Sequence, residues 1–480
     1  MDTKEHKFDV VPQVKYDVVA TNADIRTSPG KYYNAADIIW MMISSGLVFL
    51  MVPGIGLLYS GTSRKSTTYM IWMPTITTSI VGIIWFFWGY AIAFSPNGTE
   101  FWGGSTGVLF RKVDINPVGN ERGPQVPELV YALFQGMFAC FTASVLSGAT
   151  IYKERTIKWV FFLVFWITLV YCPIAHSSWN PEGWANKWGA LDFAGGTPVH
   201  ICAGMSSLSY GLFYRLQLNR YNKRERGESR PEKPAKNWVP KEDKEHVPTV
   251  LVGTILLWLG WFGFNGGSAL GANMRAVSAI ISTHLAACAG GITGSVLENL
   301  YNRVILSNIR RKRMEKNEPP LSREERGTLR HRFFKRMVIS FCNGAIAGMV
   351  AVTPASGYIS PYYSPIFGVV GSLSALYALR LSKFLFDPLD IFAIHAVSGF
   401  VGMVLTAFFA SADIVALDGY NRIPGGFVDH HWKQIYKQLG DSLFGMAWSF
   451  FITFFILCAL NIGTWFKTSI REPRLVFDDV

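Results

Sequence analysis

The sequence predicts an all-α polytopic membrane protein of eleven transmembrane helices, built as a five-plus-five inverted repeat with a final helix outside it. Three observations predict this. Only 16% of the 480 residues are charged, against 50% hydrophobic, where a soluble domain carries about a quarter charged. The apolar residues gather in stretches of about 18 or more, enough to cross a hydrocarbon core as a helix. Finally, most of the 45 Lys and Arg sit between alternate stretches, which sets the N-terminus outside and the C-terminus inside.

The polar residues 1–36 read as an extracellular segment with no cleavable signal, so the first span serves as the targeting signal. Spans then fall near 37–59, 68–94, 127–151, 157–179, 191–214, 248–268, 276–300, 337–356, 364–384, 388–412 and 441–466. Together they make one membrane domain over 37–466, followed by a short cytosolic tail, 467–480. The two long basic loops near 215–247 and 301–336 are expected in the cytosol, partly disordered and facing the anionic inner leaflet rather than nucleic acid. Asn97-Gly98-Thr99 in the outer 95–126 loop is a glycosylation sequon. All six cysteines fall inside spans, which is packing usage rather than a disulfide framework.

The repeat is faint but has a chemical core. The fifth span reads Val199-His200-x-x-x-Gly204 and the tenth Ile394-His395-x-x-x-Gly399, each with an aspartate shortly before it, Asp192 and Asp390. Spans five apart run in opposite directions, as an inverted repeat requires. Ionisable residues inside a span are costly and mark a pathway by default. His200 lies about 13 Å deep at 1.5 Å per residue, near the midplane. Each histidine could instead be a hydrogen-bonded core residue. A metal centre is disfavoured, because zinc needs three or four ligands and no Cys or carboxylate lies at ligand spacing. Asp192 reads either as the N-cap of the fifth helix or as a buried charge acting on a cation. Trp179, at an outer helix end, reads either as an interfacial belt residue or as an indole face for a small cation. His284, in the seventh span, reads as an interhelical hydrogen-bond partner or as a further proton-path residue.

Several stretches resemble the ammonium transporter family (the Amt/Mep/Rh group), and most closely its fungal Mep-type members. They are Met51-Val52-Pro53-Gly54-Ile55-Gly56-Leu57-Leu58-Tyr59-Ser60-Gly61, Tyr171-Cys172-Pro173-Ile174-Ala175-His176, and Leu191-Asp192-Phe193-Ala194-Gly195-Gly196-Thr197-Pro198-Val199-His200. Gly260-Trp261-Phe262-Gly263-Phe264-Asn265-Gly266-Gly267-Ser268 and His430-His431-Trp432-Lys433-Gln434 complete the set, and the likeness runs from about 37 to 466. The resemblance implies a homotrimer in the plasma membrane with one pore per subunit, no metal or other cofactor, and no enzymatic activity. It also implies an outer recruitment site at Trp179 and Ser268 with Asp192 beside it, a gate of stacked rings at Phe138 and Phe264, and a passage lined by His200 and His395. Trp179 and Ser268 favour the Amt/Mep branch over the Rhesus branch. The tail is shorter than the family usually carries and the basic loops are longer than in its compact bacterial members, which bears on regulation.

The function implied is recruitment of ammonium, its deprotonation, conduction of ammonia past the two histidines, and a possible separate proton relay. The alternatives are an ammonium sensor with low flux and a passive channel for ammonia or carbon dioxide.

Overall fold

The computed structural model describes residues 33–63, 65–118, 126–152, 156–226, 246–385, 387 and 389–462. Eleven long helices run through these residues, and they follow the expected spans in order. Helices α1 (Ala35–Thr62) and α2 (Thr67–Phe94) each contain a proline, Pro53 and Pro74, and α2 carries a π turn at Trp85–Gly89. Helix α3 (Glu128–Leu146) ends in a 3-10 segment, Ser147–Tyr152. Helix α4 runs from Thr156 through a π turn, Ile167–Tyr171, to Trp179. Helix α5 opens on a π turn, Gly196–Ile201, and continues as Cys202–Arg226. Then come α6 (Val247–Gly267), α7 (Met274–Glu315), α8 (Arg323–Val352) and α9 (Ser364–Leu385). Helix α10 again opens on a π turn, Phe392–Val397, before Ser398–Phe409, and α11 is Gln434–Ile462.

Ten of these helices are long and apolar enough to cross a bilayer. Helix α5 falls outside that set, because its membrane half is rich in Gly, Ser, Thr and His rather than in large apolar residues, and a basic run from Arg215 to Arg226 follows. Helices dominate because a backbone in hydrocarbon must satisfy its own hydrogen bonds. The only strands among the described residues are the two-residue pair Pro117–Val118 and Val126–Pro127 in the outer loop. The outward faces stay apolar, with Ile39, Phe49, Ile83, Ile255, Ile292 and Phe455 all more than half exposed, as a lipid-facing surface requires.

The structure corrects three expectations. Residues 191–195 form a non-helical, bent lead, so the fifth helix begins at Gly196 and not at 191. The 301–336 segment is largely helical: α7 continues for 42 residues, α8 already begins at Arg323, and the two form a hairpin around 316–322. A full capping box at Ser322 and Glu325 starts α8, and Arg313 ties the turn by donating to Glu325 at 2.8 Å and to the Pro319 carbonyl at 2.9 Å. Third, Asp387 and not Asp390 is the repeat partner of Asp192, as described below. The expected outer segment lies outside the described residues over 1–32, as do 227–245 of the first basic loop and the tail from 463. Asn97 is exposed on the outer loop.

Candidate functional site

The site begins at the bent lead into α5. Asp192 is buried there, and its carboxylate accepts from the amides of Gly195, Gly196 and Thr197 at 2.8, 2.7 and 2.7 Å. These are the unpaired donors that open any helix, so the aspartate caps α5 in the plain structural sense. Gly195 adopts φ +111°, and a Cβ there would meet Val199 at 2.5 Å and the Trp179 ring at 3.1 Å. Only glycine lets the chain turn this tightly beneath an indole.

Trp179 ends α4 and donates its indole N–H to the Asp192 carbonyl at 3.0 Å. The capping loop therefore fixes the ring. Ser268, at the end of α6, lies half-buried and donates to the Phe264 carbonyl at 2.9 Å. From Trp179 a column of rings descends. Phe138 of α3 meets Trp179 edge-on at 5.7 Å, then stacks on Phe264 of α6 at 4.1 Å with 24° between planes. His200 lies 6.0 Å from Phe264 and 5.4 Å from Trp261, nearly parallel to both. His395 follows at 5.4 Å from His200. Every ring from Phe138 to His395 is buried.

The two histidines face each other Nδ1 to Nδ1 at 3.2 Å. One nitrogen must donate and the other accept, so the neutral rings hold opposite tautomers. His200 Nε2 is buried with no hydrogen-bond partner. It is a polar atom held within an otherwise apolar column.

The structure joins Asp192, Trp179, Phe138, Phe264, His200 and His395 in one run, with Ser268 one turn beyond Phe264 on α6, and adds the geometry of the repeat. Asp387 accepts from the Ala393 amide at 3.2 Å and precedes His395 by eight residues, the same interval that separates Asp192 from His200. Asp390 has φ +58° and contributes its carbonyl to Ile394. The helices cross reciprocally: a Cβ at Gly204 would meet the Ala396 nitrogen at 2.5 Å, and one at Gly399 would meet His200 Cβ at 3.1 Å. Sequence reasoning missed Asp387, although the Asp-x7-His interval was there to be read. It also gave no separate part to Trp261, which flanks His200. His284 is corrected too. It is exposed on the outside of the bundle, against Trp258 and Phe262 at 5.5 and 6.1 Å, with Cys288 of its own helix as its polar neighbour.

Fold and site together define a multi-pass helical membrane protein organised around a buried column of aromatic and imidazole rings. A model described as the Ammonium Transporter Family matches residues 39–307 and 329–473, and the chain belongs to that family. It is thus a multi-pass protein of the cell membrane. The chain is 37% identical to Ammonium transporter 1 of Schizosaccharomyces pombe over 94% of its own length and 82% of that protein's. It is 35% identical to Ammonium transporter MEP2 of Saccharomyces cerevisiae, over 91% and 80%. The crystal structure of Saccharomyces cerevisiae Mep2 superposes with a TM-score of 0.75 at 34% identity, covering 92% of this chain and 90% of that one.

Proposed function

We propose that the chain takes up ammonium across the plasma membrane, recruiting the cation at Trp179, Ser268 and Asp192 and passing ammonia between Phe138 and Phe264 and along His200 and His395. The observation that carries this reading is the unbroken ring column. An indole and a capped carboxylate stand at its head, two stacked phenyl rings below them, and two paired imidazoles beneath. Trp179 offers an electron-rich face to a small cation. Below it, among the described residues, the stack is built of uncharged rings, and a charge near the bilayer centre costs about 3 kcal/mol on insertion scales. Ammonium can avoid that cost by leaving its proton behind, whereas potassium and sodium cannot. The proton has a separate route in the Nδ1–Nδ1 contact, which exchanges donor and acceptor when the pair changes tautomer.

In this reading the N-terminal segment is outside and the basic α7–α8 hairpin is cytosolic, consistent with its charge. The working unit is a homotrimer with a pore in each chain. Expression in yeast lacking its own ammonium transporters tests the reading: the chain should restore growth on low ammonium. His200→Ala and His395→Ala should each cut uptake by at least about tenfold or admit potassium, since positioned proton transfer contributes at least that much. Wild-type rate and selectivity in both variants would return the pair to a core role. Normal surface expression without restored growth would favour a sensor.

A further inference from the structure

Helix α11 stands outside the inverted repeat, yet one of its faces holds the head of the column. Gln434 donates to the Gly189 carbonyl at 2.9 Å, and Gln438 brackets Leu191, accepting from its amide at 2.7 Å and donating to its carbonyl at 2.6 Å. Two turns beyond Gln434, Asp441 accepts from the Ser178 hydroxyl at 3.0 Å, next in the chain to Trp179. One turn further, Gly445 packs so closely that a Cβ would meet Thr197 Cγ2 at 2.3 Å. Positions 434, 438, 441 and 445 share one helical face, and together they hold the segment from 189 to 197 and the end of α4 at Ser178.

Three of those contacts need only an amide or a small residue. Asp441 is different, because Ser178 occupies one carboxylate oxygen and an asparagine would accept that bond equally well. The other oxygen, Oδ2, is wholly buried with no hydrogen-bond partner. The Thr197 hydroxyl is the polar group that faces this second oxygen, and Asp192 lies nearby. A carboxylate inside a membrane helix is costly and ordinarily tied to function.

We propose that Asp441 is a second acidic group of the outer site, lying beside Trp179 across its contact with Ser178 and acting through its charge to favour a small monovalent cation such as an alkylammonium ion. It acts at a distance through its charge, and the inference rests on the recruitment reading above. The expected chemistry is electrostatic: two carboxylates behind the indole deepen the potential at the head of the column, where a cation arrives before any proton leaves.

The test compares the full chain with Asp441→Asn, Asp441→Ser and Ser178→Ala. Detergent-solubilised protein is titrated calorimetrically with methylammonium, and uptake of labelled methylammonium is measured in transporter-deficient yeast at matched surface level. Asp441→Asn, which keeps the acceptor and removes the charge, should raise both Kd and KM about fivefold or more while the maximal rate stays within about twofold. Ser178→Ala, which keeps the charge, should stay within about twofold of wild type in both. Wild-type Kd and KM in Asp441→Asn would overturn the proposal, leaving a hydrogen-bond acceptor only. Failure of both Asp441 variants to reach the surface would overturn it as well, in favour of a packing role. Wild-type chain that binds and responds to the substitution without transporting would sink the transport reading and leave Asp441 standing. Absence of methylammonium binding by the wild type would end both.

Discussion

At the scale of single residues, the site depends on who satisfies whom. Asp192 spends both carboxylate oxygens on three amides, so its charge and its cap are the same structural fact. Asp192→Asn retains one acceptor oxygen and turns the other into a donor facing amides. It should lower surface-normalised uptake and destabilise the protein by about 1 kcal/mol, the usual worth of an N-cap. Unchanged uptake with an unchanged melting temperature would show that neither role matters. His284 supplies the opposite case. Its ring lies outside the bundle on Trp258 and Phe262, away from the His200–His395 pair. His284→Asn should leave both expression and the uptake-versus-pH curve as in wild type, and a displaced curve would show that a proton path reaches the outer face. Hydropathy placed both histidine classes inside spans. It could not tell an inward face from an outward one, because at that level of α7 the small polar Ser278, Ser282 and Thr283 face inward and the apolar Val277 and Ile281 face outward, the reverse of the stripe hydropathy reads.

At the scale of elements, the two helices that carry the histidines are defined by their irregular starts. A π turn opens each one, an aspartate eight residues upstream of the histidine accepts an amide in each, and glycines let them cross at backbone contact. Gly204→Ala drives a methyl to within 2.5 Å of the Ala396 backbone nitrogen, a contact that only helix displacement can relieve. Overpacking of this kind costs about 1–3 kcal/mol. We expect Gly204→Ala to lower thermal stability in that range and to depress uptake, since the displaced neighbour begins one residue after His395. Gly399→Ala, whose closest contacts are 3.1 Å, should be the milder variant in the same melting assay, and the reverse order would contradict the crossing described here. Both glycines and both histidines were legible as a repeated His-x3-Gly. The π turns were not, because their cause is local hydrogen-bond geometry rather than composition. The α7–α8 hairpin was misread for a different reason. A charged run after a span looks like loop on a hydropathy scale, while the Ser322-x-x-Glu325 capping box that starts α8 is a helix signal of another kind.

At the scale of the whole molecule, the outer face is closed by a buried ion pair between residues 143 positions apart, which no local pattern connects. Arg275, at the start of α7, donates to Asp418 at 2.9 Å and to the Gly357 carbonyl at 2.8 Å, and its guanidinium lies over Phe193 and Tyr358. It therefore joins the lead into α5 to two distant loops. Burial would push the Asp418 carboxyl up, but hydrogen bonds from the Asn421 side chain and the Tyr420 and Asn421 amides, with the Arg275 charge, hold it below its ordinary value. A carboxyl lowered on folding stabilises above its unfolded pKa of about 3.9 and loses that contribution as pH falls through the folded value. Asp418→Asn should cost about 3–5 kcal/mol by stranding the arginine. The melting-temperature gap from wild type should hold from pH 7 to about 5 and narrow only below about 4. A gap that closes near neutral pH would mean that another group carries the clamp.

The α7–α8 hairpin has a consequence for imaging. At 1.5 Å per residue, the 42 residues of α7 span about 63 Å, twice the thickness of the hydrocarbon core. Roughly 30 Å of rod thus stands clear of any detergent belt, and residues 308–328 at its tip are the internal stretch that the family model passes over. Small helical membrane proteins are hard to orient in projection because little of their mass emerges from the micelle. This chain carries its own off-axis fiducial, a stiff two-helix mast braced by Arg313, which marks one side of the membrane in every particle.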